Sequence, residues 1–398
     1  MRRGLDMAKK IIGVLTATRA EFGLLKPLIM RLMKEELFEI RVLVTGAHLS
    51  KDFGYTYREI EDAEIPIAVK IECVSEGDKP FDISCNMARA IEGFAGYFEN
   101  NKLDLLMVLG DRYETLAVCI AAMNAEIPIA HLHGGEATEG LIDEAVRHSI
   151  TKMSQIHFVG TEVYRKRVIQ MGEQPTRVFN VGALAVENIK NTDYLSKEEL
   201  SSYLGVDLNR PYAVVTFHPI TLEENSGVEQ VDELLEAIDS FPQMTFIITK
   251  ANADAGGRVI NKKIDEYAKS RNNVVAVTSL GIRRYLSAVK ECDTVIGNSS
   301  SGIAEAPCLH VPTVNIGDRQ KGRLMPESVL CCSPKKEDIV KTIKIAISNE
   351  FHEKIKTITN PFGTGDTSNR ITEILLELFK GKERIGVIKR FYDIEVKD

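Results

Sequence analysis

The chain has 398 residues, 27% of them charged and 44% hydrophobic, and a formal net charge of −7. At roughly 100–200 residues per domain this is the composition of two globular domains, which excludes a disordered chain, a collagen-like fibre and a disulfide-stapled miniprotein. No uncharged run exceeds 12 residues, short of the ~20 that a membrane helix needs, and the acidic balance argues against general binding of nucleic acid.

The basic start MRRGLDMAKK lacks the apolar core of a secretory signal; residues 1–7 read as a lead, with Met7 as an alternative start. Short β-rich runs then alternate with amphipathic helical runs, the pattern of parallel α/β layers. Strands are expected at 11–18, 40–46, 103–111, 127–135, 156–160 and 178–182, and helices at 24–32 and 115–126. The pattern restarts beyond a linker at 182–194, with strands at 212–219, 246–252, 273–277, 293–300 and 311–317. An amphipathic stretch at 369–379 and a charged, peripheral end close the chain. The seven cysteines (Cys73, Cys85, Cys119, Cys292, Cys308, Cys331 and Cys332) form no Cys-x-x-Cys pair, and a reducing cytoplasm is the expected compartment. Two Rossmann-like halves place ligands beyond the carboxyl ends of their strands, so residues just after strands are the candidates.

Arg19 follows the first strand in TATRAEFG, where G-x-G-x-x-G is absent. Its guanidinium suits a phosphate, and a pair with Glu21 is the plain alternative. Asp111, after the strand in VLGDRYE, reads either as a helix N-cap or as a reactive carboxylate. The segment 131–148 is the densest polar cluster. His131 and His133 alternate and so face one side of a strand, Glu136 follows, and Asp143–Arg147 and Glu144–His148 are i,i+4 partners. Further ligands at metal-site spacing are missing, so no metal is expected. In the second half His218 and Asn252 follow strands. GNSSSGIAEAP offers Ser299 and Ser300 at a helix start for a diphosphate and Glu305 for a ribose, with Arg319, Lys321 and Arg323 in the next loop.

TATRAEFG, LGDRYE, HLHGGE with DEAVRHSITKMS, TFHP, NADAG, GNSSSGIAE and NIGDRQKGR stand in an order that resembles the hydrolysing UDP-N-acetylglucosamine 2-epimerases, most of all those of bacterial sialic-acid pathways. The likeness runs from Lys10 to FYDIEV. It implies a GT-B architecture of two Rossmann-like domains with a cleft between them. The first domain, 8–182, would carry the sugar and acid/base residues and the second, 195–365, would bind UDP. A C-terminal helix within 366–390 would pack back on the first.

The implied reaction converts UDP-N-acetylglucosamine and water to N-acetylmannosamine and UDP, through elimination to 2-acetamidoglucal and rehydration, with no cofactor and no metal. The implied partners are the UDP-sugar alone, without nucleic acid or membrane, in a homodimer or homotetramer. By the same resemblance Asp111 is the acid/base Asp, Asp143 a second acidic position and Arg147 the Arg after it. His218, Asn252, Ser299, Ser300, Glu305 and Arg319 match the nucleotide-binding positions, with Arg19 expected to reach the phosphates from the first half. His133 stands where relatives carry a catalytic Glu, so either His133 or Glu136 takes that part. Rival readings are hydrolysis of UDP-2,4-diacetamido-2,4,6-trideoxyglucose by the same steps, a GT-B glycosyltransferase and a silent UDP-sugar sensor.

Overall fold

The computed structural model describes residues 8–51, 54–75, 79–138, 142–218, 226–250, 257–278, 280–381 and 385–395. The chain divides into one unit of Met1–Asn188 with Gly363–Asp398 and a second of Ile189–Phe362.

The first unit carries a sheet of seven strands: β1 (Lys10–Thr16), β2 (Phe38–Val44), β3 (Ile67–Lys70), β4 (Leu105–Leu109), β5 (Ile129–Leu132), β6 (Ile156–Val159) and β7 (Val178–Asn180). Their order is β3-β2-β1-β4-β5-β6-β7, and every pairing is parallel. The second unit repeats the plan with β8 (Tyr212–Thr216), β9 (Thr245–Thr249), β10 (Val274–Val277), β11 (Thr294–Gly297), β12 (Thr313–Ile316) and β13 (Val329–Cys332), in the order β10-β9-β8-β11-β12-β13, also parallel. The order reverses between β1 and β4 and again between β8 and β11. These are the switch points where doubly wound sheets bind ligands.

Each sheet is covered on both faces, and the strand residues show it by alternation. Ile12, Val14, Leu105 and Met107 enter one core cluster, and Leu15, Leu106 and Val108 the other. In the second unit Ala213 and Val215 face one cluster, Tyr212 and Val214 the opposite one. Continuous apolar strands are the consequence of burial on two sides.

The helix expected at 24–32 begins earlier, at Arg19–Leu32, because a capping box holds its first turn. Thr18 Oγ1 accepts the Glu21 N–H (3.3 Å), while the Glu21 carboxylate accepts the N–H groups of Ala17 (2.7 Å) and Thr18 (3.1 Å). Pro27 lies inside this helix and has no N–H for the Gly23 carbonyl; Asn188 Nδ2 donates to that carbonyl instead (2.8 Å). The helix Pro80–Asn100 and the strands β3 and β13 have no counterpart among the expected elements. Both strands are the outermost of their sheets; β3 alternates half-buried and exposed residues, and β13 is four residues long with one of them buried.

The helix Thr367–Lys380 belongs to the first unit, where Ile371 and Leu375 share a core cluster with Leu28 and Leu32. The closing residues do not hang off as a peripheral end. Lys389 Nζ donates to the Ser154 carbonyl (2.6 Å) and to the buried Glu173 carboxylate (2.7 Å), and the Tyr392 N–H reaches the Gly172 carbonyl (2.9 Å). Among the described residues no helix is long and apolar enough to cross a membrane.

Candidate active site

Gly110 leaves β4 in the left-handed region (φ +76°) and turns the chain so that Asp111 stands beyond the strand's carboxyl end, next to the switch point. Asp111 does not cap the following helix. The N-cap of Tyr113–Asn124 is Arg112, and the Asp111 carboxylate is instead ion-paired to Arg147 Nη2. Arg147 is almost wholly buried on the helix Ile142–Met153. Its other contacts are Glu144 Oε2 (2.9 Å), the Glu136 carbonyl (3.2 Å) and Thr138 Oγ1 (3.1 Å). A buried guanidinium with this many acceptors is the arrangement that tolerates burial of charge.

The expected Asp143–Arg147 pair is therefore replaced, because Arg147 turns to Asp111 and Glu144. Asp143 remains beside them, its carboxyl pushed up by burial and then by the negative charge of Asp111. The Glu144–His148 pair forms as the spacing expects (2.9 Å). Glu144 also accepts the Thr138 N–H (2.7 Å), closing the loop after β5 onto the helix.

His131 and His133 do not share one side of a strand. His131 lies within β5 and is fully buried, whereas His133 follows the strand with a positive φ (+65°) that breaks the alternation. The His133 Nδ1 lies 3.5 Å from Glu136 Oε1, and its Nε2 is buried without a hydrogen-bond partner. The two candidates for the relatives' catalytic Glu thus stand together as a pair. Both nitrogens of His131 are engaged, with the Gly110 carbonyl (2.8 Å) and Thr151 Oγ1 (3.1 Å), and burial holds the imidazole down to about 3. Among the described residues no group of three His, Cys, Asp or Glu is placed to hold a metal ion.

Arg19 pairs with Glu59 (3.8 Å), with its side chain 67% exposed, rather than with Glu21. Glu21 is taken up by the capping box, and burial raises its carboxyl to about 7. Nearby, Arg112 grips the buried Glu114 with two bonds (3.1 and 3.0 Å). This charged cluster at the β1/β4 switch point was not among the sequence candidates, since neither charge falls in an obvious spacing pattern.

In the second unit His218 follows β8 and is buried. Its backbone is bracketed by Asn298, whose Oδ1 accepts the His218 N–H (2.7 Å) and whose Nδ2 donates to the His218 carbonyl (2.8 Å). Arg319 Nη1 (3.0 Å) and Gln320 Nε2 (2.9 Å) both donate to the Asn298 carbonyl, bringing the loop after β12 to the same place. Ser299 is half-buried and Ser300 exposed, but the helix they were expected to open, Ser301–Ala304, is only four residues long. Behind it Glu305 Oε2, Ser301 Oγ and the Tyr285 hydroxyl are buried atoms without hydrogen-bond partners, and burial pushes the Glu305 carboxyl up. Asn298 and Tyr285 were missed, although Asn298 sits inside a motif already singled out. Asn252 lies outside the described residues.

A profile of the UDP-N-acetylglucosamine 2-epimerase family matches residues 30–376. A GDP/UDP-N,N'-diacetylbacillosamine 2-epimerase (hydrolyzing) of Campylobacter jejuni is 41% identical over 325 residues, covering 81% of this chain and 84% of its own. Polysialic acid biosynthesis protein P7 of Escherichia coli is 39% identical over 387 residues, 97% of this chain and 98% of its own. The crystal structure of UDP-GlcNAc 2-epimerase from Neisseria meningitidis bound to UDP-GlcNAc superposes with a TM-score of 0.72 at 21% identity, covering 92% of this chain and all of that one, and the shared fold is the GT-B pair of Rossmann-like domains.

Proposed function

This chain belongs to the UDP-N-acetylglucosamine 2-epimerase family, and from that premise we propose that it converts UDP-N-acetylglucosamine and water to N-acetylmannosamine and UDP, as a step toward sialic acid. It is a hydrolysing 2-epimerase of UDP-sugars. The N-acetylglucosamine substrate is the reading favoured by the near end-to-end likeness to a protein of polysialic acid biosynthesis. The same reading carries a cytoplasmic location and a homodimeric or homotetrameric assembly.

The observation that carries the chemistry is the trio Asp111, Arg147 and Asp143. Inversion at C2 by elimination needs a base for the C2 proton and, later, an acid to return one from the other face. Arg147 pairs directly with Asp111, and Asp111 takes the C2 proton as the C1–O bond breaks. Asp143, whose carboxyl is pushed up by burial and then by Asp111, returns a proton to C2 while water adds at C1. A carboxyl pushed up beside an ion-paired carboxylate suits such a division of labour. His133 and Glu136 act as a pair beside them, in the place where relatives carry a Glu. In the second unit Ser299, Ser300, His218, Asn252 and Arg319 take the diphosphate, and Glu305 takes the ribose hydroxyls. Charge developing on the leaving UDP is met there by donors and cations.

A second reading rests on the Campylobacter relative: the substrate is UDP-2,4-diacetamido-2,4,6-trideoxyglucose, processed by the same residues. NMR of the products from each sugar nucleotide decides between them. N-acetylmannosamine and UDP from UDP-N-acetylglucosamine uphold the first. Turnover of the diacetamido sugar alone establishes the second, and turnover of neither sinks both.

A further inference from the structure

Three residues on one face of the helix Ile142–Met153, at i, i+4 and i+8, are Asp143, Arg147 and Thr151. Arg147 holds the Asp111 carboxylate. Thr151, two turns from Asp143 and fully buried, contacts His131 Nδ1 (3.1 Å), and His131 Nε2 contacts the Gly110 carbonyl (2.8 Å). A carbonyl only accepts, so Nε2 carries the imidazole proton. A neutral ring then has a bare Nδ1, so Thr151 is the donor to it.

We infer that Thr151 and His131 are positioning residues, a buried hydrogen-bond chain that fixes Asp111 relative to Asp143. The inference rests on the roles proposed for those two carboxyls. Asp111 is tied to the helix twice: through its carboxylate to Arg147, and through the preceding peptide to Thr151 by way of His131. One tie leaves the carboxylate free to pivot, and two fix both its place and its direction. The chain has no slack. A Cβ on Gly134 would lie 3.0 Å from both His131 Nδ1 and Thr151 Oγ1. The Gly110 N–H is bonded to the Leu132 carbonyl (3.1 Å), so the turn is held from its other side as well. Neither residue touches the reacting atoms; they act through Asp111.

The test is Thr151→Val, which keeps the shape and removes the donor, with Thr151→Ser restoring it. The expected result is a kcat lowered about ten-fold with KM and UDP affinity unchanged, the cost of a displaced catalytic group, and recovery in the Ser variant. An unchanged kcat in Thr151→Val overturns the inference. So does a loss of kcat, UDP affinity and thermal stability together that Ser does not restore, because that is the pattern of a merely structural residue. Imidazole 15N NMR of the wild-type protein judges the chain without any turnover: the proton on Nε2 is expected, and a proton on Nδ1 rules the chain out. A wild type that converts no UDP-sugar refutes the functional reading instead, so the two failures stay separate.

Discussion

Asn298 brackets the backbone of His218, its Oδ1 accepting the N–H at 2.7 Å and its Nδ2 donating to the C=O at 2.8 Å. The side-chain amide thus does for the chain leaving β8 what a neighbouring strand would do, and ties it to the turn after β11. Asn298→Asp keeps the acceptor and removes the donor, leaving a buried carbonyl unmatched beside a new charge. We expect a loss of stability of about 1–3 kcal/mol, together with weaker UDP binding because the His218 turn shifts. Urea unfolding and calorimetry with UDP measure the two. Unchanged values in both would mean that the bracket holds nothing in place.

Glu305 has a buried carboxylate oxygen without a partner, a feature that native proteins rarely leave unexplained. A ribose hydroxyl is the partner assigned to it above. Glu305→Ala is expected to weaken UDP by about 1–3 kcal/mol, the value of charge-assisted hydrogen bonds. Equal UDP affinity in wild type and variant, by calorimetry, removes this assignment.

Asp111→Asn keeps size and most hydrogen bonding but not basicity. Because Arg112 rather than Asp111 is the helix N-cap, a large effect cannot be charged to lost capping. Turnover is expected to fall by about 10²–10⁴, with UDP binding near normal. Run in D2O, the wild-type product should carry deuterium at C2, since the C2–H bond breaks and re-forms. Product that retains its original C2 hydrogen contradicts elimination.

The Glu21 carboxyl stands at about 7 in the fold against an ordinary value of 4.5. The folded state therefore binds this proton more tightly than the unfolded chain does. Its contribution to stability is complete below 4.5 and is lost as the pH rises through 7. Glu21→Gln keeps an acceptor for the Ala17 and Thr18 N–H groups and abolishes the titration. The variant should gain stability relative to wild type as the pH goes from about 5 to about 8. Parallel melting temperatures across that range would show that Glu21 does not titrate there.

Chelation is expected to leave activity intact. His131 has both nitrogens committed to Gly110 and Thr151 and so has no lone pair to offer a metal beside His133. Extensive EDTA treatment followed by assay checks this; loss of activity restored by one divalent ion would contradict it.

Some of this was legible in the residues alone. Apolar runs such as LLMVL and YAVVT read as buried parallel strands because a strand covered on both faces has no polar face to show. The order of the motifs pointed to the family for a similar reason: TATRAEFG, LGDRYE, HLHGGE, TFHP, GNSSSGIAE and NIGDRQKGR stand at the carboxyl ends of strands, where chemistry constrains residue type. The edge strands β3 and β13 had no counterpart among the expected elements; each is four residues long and only partly buried. Tertiary structure alone decided the partners. Spacing joined Asp143 to Arg147 on one helix, yet a guanidinium on a buried face also meets whatever another strand delivers. The turn at Gly110 delivers Asp111, 36 residues away in sequence. Likewise His131 and His133 alternate in sequence, but a left-handed backbone at His133 undoes the alternation, so one ring is sealed into a hydrogen-bond chain and the other is set beside Glu136. Periodicity is a local property that the sequence carries within itself. Which charge meets which depends on the path of the chain between them, and that path is set only when the sheet assembles.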